Sequence, residues 1–182
     1  MGKIFFYVYS RNLITIILLM FVSIPLWSYI GFVVGRKYQR IWKIMNLLIF
    51  GSVLLLIIYI TLGNRTLETK EICLIPFEFF SRAKIQPEIY RSMLMNVFLF
   101  FPMGVTLPYM LPDKWRYQTF FVIIFAFMFS GIIEFLQYYF CLGRAETDDV
   151  ICNTLGCFIG TISYMISKKM VRKKLKIDHK HQ

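Results

Sequence analysis

Seven side chains stand out as able to do chemistry in a chain that otherwise offers little of it: Asn96, Glu134, Gln137, Arg144, Asp148, Asp149 and Asn153. Glu134 and Gln137 are spaced i, i+3, and Asp149 and Asn153 are spaced i, i+4, so on helices each pair shares a face. A carboxylate set among apolar side chains tends to hold its proton, which suits a general acid. Arg144, close before the two aspartates, is the expected counter-ion for them or a holder of an anion. Together these groups form either a polar pocket that receives a headgroup or small polar ligand, or a set of hydrogen bonds that fastens helices together. No nucleophile–base pair stands beside them. The cysteines Cys73, Cys141, Cys152 and Cys157 make no CxxC or Cys/His pattern, and His179 and His181 lie at the chain's end, so neither a metal nor a cofactor is expected.

The elements that must position these groups are set by composition. Of 182 residues, 58% are hydrophobic and only 17% charged, which leaves too little polar surface for a soluble fold and excludes disorder. The expectation is an all-α polytopic membrane protein, a bundle of about five transmembrane helices. The apolar runs are Leu13–Val34, Ile44–Leu62, Met93–Leu111, Gln118–Phe140 and Val150–Ser167. The first is about 33 Å long as a helix, enough to cross a hydrocarbon core of about 30 Å, and it lacks the short apolar region and small-residue site of a cleaved signal peptide. Pro102, Gly104 and Pro108 fall inside the third run, with a bend expected near Pro102. Glu134 is the one carboxylate inside any run.

Charge sets the orientation, because Lys and Arg resist translocation and acidic residues matter little. One side gathers thirteen basic residues, from 35–43, 112–117 and the C-terminal tail, and the other gathers eight over longer segments. The N-terminus is therefore expected outside and the C-terminus in the cytoplasm, as in a multi-pass membrane protein. Asn96, Glu134, Gln137, Asp148, Asp149 and Asn153 then meet at one depth, near the outer face. The net charge of +11 follows this flanking pattern, so no nucleic-acid partner is expected. The basic tail instead meets anionic inner-leaflet lipid. Residues 1–62 read as an N-terminal helix pair, 63–167 as a three-helix membrane domain with an outer loop, and 168–182 as the basic tail. The outer connection from Gly63 to Ser92 carries an apolar patch, Ile72 to Phe80, too brief to span, which is expected in the headgroup region or folded back into the bundle. Cys73 and Cys141 fall on the same outer side, where a disulfide is an open alternative. The spacings Gly31/Gly35 and Gly156/Gly160 read as close helix packing, within or between chains.

Asn96-Val97-Phe98-Leu99-Phe100-Phe101-Pro102-Met103-Gly104, then Glu134-Phe135-Leu136-Gln137, then Gly143-Arg144 followed by Asp148-Asp149-Val150 and Asn153-Thr154-Leu155-Gly156 together resemble the VanZ-like family of bacterial membrane proteins, which implies a place in the bacterial cytoplasmic membrane. Leu74-Ile75-Pro76-Phe77 is similar to a further family segment, with Cys73 where asparagine is common. The resemblance runs from about Thr61 to Ser163. It implies a polytopic membrane protein whose founding member confers low-level resistance to the glycopeptide teicoplanin, and it implies no reaction. Three functions remain open from the sequence. The first is a non-enzymatic envelope protein that binds a membrane lipid headgroup, a cell-wall precursor or the glycopeptide through Asn96, Glu134, Gln137, Arg144, Asp148, Asp149 and Asn153. The second is a membrane enzyme acting on a lipid-linked envelope substrate with Glu134 and Asp148 or Asp149. The third is a transporter or channel component in which Glu134 carries protons or cations, against which the absence of an internal repeat argues.

Overall fold

A computed structural model describes residues 26, 29–31, 38–63, 70–86, 88–112 and 117–178. Four helices among these are long and apolar enough to cross a membrane, over Arg40–Gly63, Ile89–Met110, Gln118–Tyr139 and Thr147–Met170. The chain is thus an all-α polytopic membrane protein. The expected first span, Leu13–Val34, lies outside the described residues apart from 26 and 29–31, which are helical.

Helix α1 spans Gln39–Ile58 and ends in a π-helical turn, Tyr59–Gly63. A short strand β1, Glu71–Cys73, and a short helix α2, Phe79–Ala83, then precede α3, Glu88–Met110. Helix α4 is Gln118–Tyr139, strand β2 is Arg144–Glu146, and α5 is Thr147–Asp178. At 32 residues, α5 is roughly 48 Å long, more than a bilayer core needs, so the basic segment after Ser167 continues the helix at least to Asp178.

The central pair is α3 against α5, with α1 packed on α3 and α4 packed on α5. Glycine makes the central contact close. A Cβ on Gly104 would lie 2.0 Å from the Cys157 carbonyl oxygen, one on Gly156 would lie 2.0 Å from that of Val97, and one on Gly160 would lie 2.2 Å from that of Phe101. The expected Gly156/Gly160 contact is therefore within the chain, where small residues let backbones touch. Helix α3 runs without interruption through Pro102 and Pro108. Pro108 has no N–H for the Gly104 carbonyl, and the Thr161 hydroxyl of α5 lies 3.3 Å from that oxygen while also reaching the Cys157 carbonyl of its own helix at 2.9 Å. Phe50 and Ile57 of α1 share one core with Phe100 and Met103 of α3, Val122, Ala126 and Ile133 of α4 and Cys157 of α5.

The connection before α3 has its own structure. Strands β1 and β2 pair in parallel, with Glu71 opposite Arg144, Ile72 opposite Ala145 and Cys73 opposite Glu146. This clasp closes one end of the bundle. It lies where α3 and α5 begin and α4 ends.

Candidate functional site

The clasp end carries the polar residues, and its construction starts with Asp148. This side chain, 3% exposed in the first turn of α5, accepts hydrogen bonds from the backbone N–H of Phe77 at 2.6 Å and of Phe79 at 3.0 Å. Phe77 sits in the left-handed region, with φ 64°, a conformation that costs a bulky residue roughly 1–2 kcal/mol. Hydrogen bonds to a carboxylate contribute about 1.5–3 kcal/mol each, enough to hold the turn. The aspartate thus fixes the entry to α2. The expected ion pair between Arg144 and the aspartates is replaced by another: Arg144 meets Glu78 at 3.1 Å and Glu146 at 3.7 Å. The reason is strand geometry, since side chains two apart along β2 share a face and bring Glu146 beside Arg144.

Arg82 of α2 meets the same Glu146 at 2.8 Å. That hydrogen bond is the main reason the Arg82 guanidinium holds its proton even more firmly than usual. The Cys73 thiol hydrogen-bonds Glu78, and the Thr147 hydroxyl donates to the Cys73 carbonyl at 3.3 Å. Cys73 and Cys141 are both free thiols, so the disulfide alternative is not realised. Glu134, 7% exposed near the end of α4, accepts the backbone N–H of Glu146 at 2.9 Å and ties β2 to that helix.

These groups enclose a cavity of about 200 Å³, lined by Phe79 and Arg82 of α2, Ile89, Ser92 and Met93 of α3, Arg144 and Glu146 of β2, and Asp148 and Asp149 of α5. Each guanidinium has five N–H donors, and each makes a single hydrogen bond to the described residues, so donors are left over. The Arg144 Nε is buried with no hydrogen-bond partner. Acidic and basic groups line one small hollow, with an apolar side made by Phe79, Ile89 and Met93.

The sequence-predicted residues separate on inspection. Arg144, Asp148 and Asp149 line the cavity, and Glu134 lies one hydrogen bond behind it. Asn96 lies half-buried one turn deeper on α3 than Ser92, outside the lining. Gln137 donates to the Thr61 carbonyl at 3.0 Å and Asn153 donates to the Ser130 hydroxyl at 2.8 Å, so these two fasten α4 to the π-helical turn and to α5. Arg82, Glu146 and Ser92 were missed. The one sequence signal for them was Glu146 alternating with Arg144, because the strands that bring Arg82 into range are each three residues long.

Membrane-length helices around a glycine-tight central pair, with a charged hollow at one end of the bundle, define a polytopic membrane protein. The chain belongs to the VanZ/LLP1 family, whose model matches residues 4–168. It is similar to Protein VanZ of Enterococcus faecium, with 33% identity over 89 residues, covering 49% of this chain and 53% of that protein. The match thus spans about half the length of that curated relative. No solved structure matches.

Proposed function

We propose that this chain is a non-enzymatic envelope protein of the bacterial cytoplasmic membrane that binds the phosphate-bearing headgroup of a membrane lipid or lipid-linked wall precursor at the clasp end, with that end facing outward. The observation that carries this reading is the pairing of Arg82 and Arg144 on one cavity, each with unused donors, beside the Ser92 hydroxyl. Guanidinium forks suit phosphate oxygens, and two of them grip one anion better than either alone. Asp149 lies on the same lining. Glu146 and Asp148 are engaged by the arginines and by the Phe77 and Phe79 amides, so they shape the hollow more than they repel an anion.

The test is lipid retention. The full chain is purified in mild detergent and its bound lipids are weighed by native mass spectrometry, beside a chain carrying Arg82→Gln and Arg144→Gln. Losing two charge-assisted contacts predicts at least a tenfold fall in retained phosphate-bearing lipid, about 1.4 kcal/mol or more. A chain with Lys at both positions keeps part of the binding and controls for folding. Equal lipid in the native and glutamine chains would sink the reading. Teicoplanin resistance, if this member confers it, acts through the same pocket on this view. Its inhibitory concentration in an expressing host then falls to the vector level with the two glutamines.

A further inference from the structure

The cavity's outer wall raises a separate question: what covers the segment from Leu74 to Ile85. Leu74, Ile75, Phe77, Phe80 and Ile85 are each more than half exposed, while Phe79 between them is buried and lines the cavity. The Phe77, Phe79 and Phe80 rings pack on one another, with centroids 3.9–6.4 Å apart. Asp148 fixes this arrangement by holding the Phe77 and Phe79 amides, so the outward aromatics belong to a built surface. A contiguous apolar patch of this kind marks a partner or a membrane.

We infer that this segment is a membrane-interface wedge that inserts into the acyl-chain boundary of the leaflet at the clasp end. Three observations select lipid over protein as the occupant. The segment has twelve residues, a length that suits an interfacial element and is too short to span. It directly precedes the span beginning at Ile89 and is held by Asp148 at the start of the span beginning at Thr147, so it lies at the end of the bundle where both spans begin. Arg82 and Lys84 lie within it, at the position where lipid phosphates would meet a shallowly inserted element. Resting on the headgroup reading, one consequence follows: with Phe79 and Arg82 in the wedge, the cavity opens at phosphate depth and a headgroup enters sideways from the leaflet.

The test places a benzophenone photo-crosslinker at Ile75, Phe80 or, as a lipid-facing control on α4, Phe135. The full chain is reconstituted in vesicles of phosphatidylcholine tritiated in the acyl chains. Insertion predicts labelled adducts at Ile75 and Phe80 within about threefold of the Phe135 yield. Yields below about one tenth of that control, or crosslinking into a dimer of this chain in place of lipid, overturn the wedge. The same sites are read in the chain carrying Arg144→Gln alone, a cavity residue of β2 outside the wedge. Unchanged adducts there uphold insertion even when headgroup binding is lost, so the two readings fail separately.

Discussion

Asp148 shows how one side chain can organise a site by accepting backbone hydrogen bonds. Its carboxylate replaces solvent for two amides from a segment some seventy residues away, and it stabilises a phenylalanine in a backbone region that glycine usually occupies. Replacing it with alanine removes both acceptors, a loss on the order of 3 kcal/mol to the local turn. Amide hydrogen exchange at Phe77 and Phe79 is then expected to quicken about a hundredfold, with α4 protection unchanged. Asp148→Asn keeps one good acceptor and gives a smaller effect. Unchanged exchange in the alanine chain would remove Asp148 from this role. The residue types at the site were legible in the sequence, since Arg144, Asp148 and Asp149 stand out against an apolar background. Arg82 was not, because nothing local distinguishes a cavity-lining arginine from one facing water.

Among the helices, the central contact between α3 and α5 depends on the absence of side chains. Gly104, Gly156 and Gly160 each meet a facing backbone carbonyl where a methyl group would overlap it. Gly156→Ala is therefore expected to lower the melting temperature in detergent, by a destabilisation of about 1–3 kcal/mol. Gly131 of α4 has open space around its Cβ position, and alanine there gains helix propensity, up to about 1 kcal/mol. A pair of melting curves in which both variants behave alike would contradict this packing. The helix pattern was readable because a run of apolar residues long enough to cross a bilayer has few alternatives. The parallel strand pair was not, since three-residue strands carry almost no periodic signal and their pairing joins Glu71 to Arg144 across the whole of α3 and α4.

For the whole molecule, the basic residues decide the direction in which the bundle sits. The end of α5 carries Lys168, Lys169, Arg172, Lys173, Lys174 and Lys176, whereas the clasp end mixes both signs. Positive flanks stay in the cytoplasm, so a fluorescent protein fused after Gln182 is expected to be bright and alkaline phosphatase fused there inactive. The reverse pair of results would turn the cavity towards the cytoplasm and end the envelope reading. The family match over residues 4–168 takes in both ends of the described bundle, beyond the stretch from about Thr61 to Ser163 that the motifs themselves reach.

What the sequence determined by itself is the solvent and the class of fold: hydrocarbon tolerates helices whose backbone is satisfied within each segment, and the length of each apolar run reports that directly. Which polar residues share a hollow and which bolt helices together was decided only in three dimensions. Gln137 and Asn153 looked equivalent to Asp149 along the chain, yet their amide nitrogens donate to Thr61 and Ser130, leaving the two side-chain oxygens buried without a hydrogen-bond partner. Arg82, by contrast, reaches the hollow through a turn held by Asp148 and an ion pair with Glu146. A side chain's partner is fixed by helix rotation and by contacts between distant segments, and neither is encoded in local spacing.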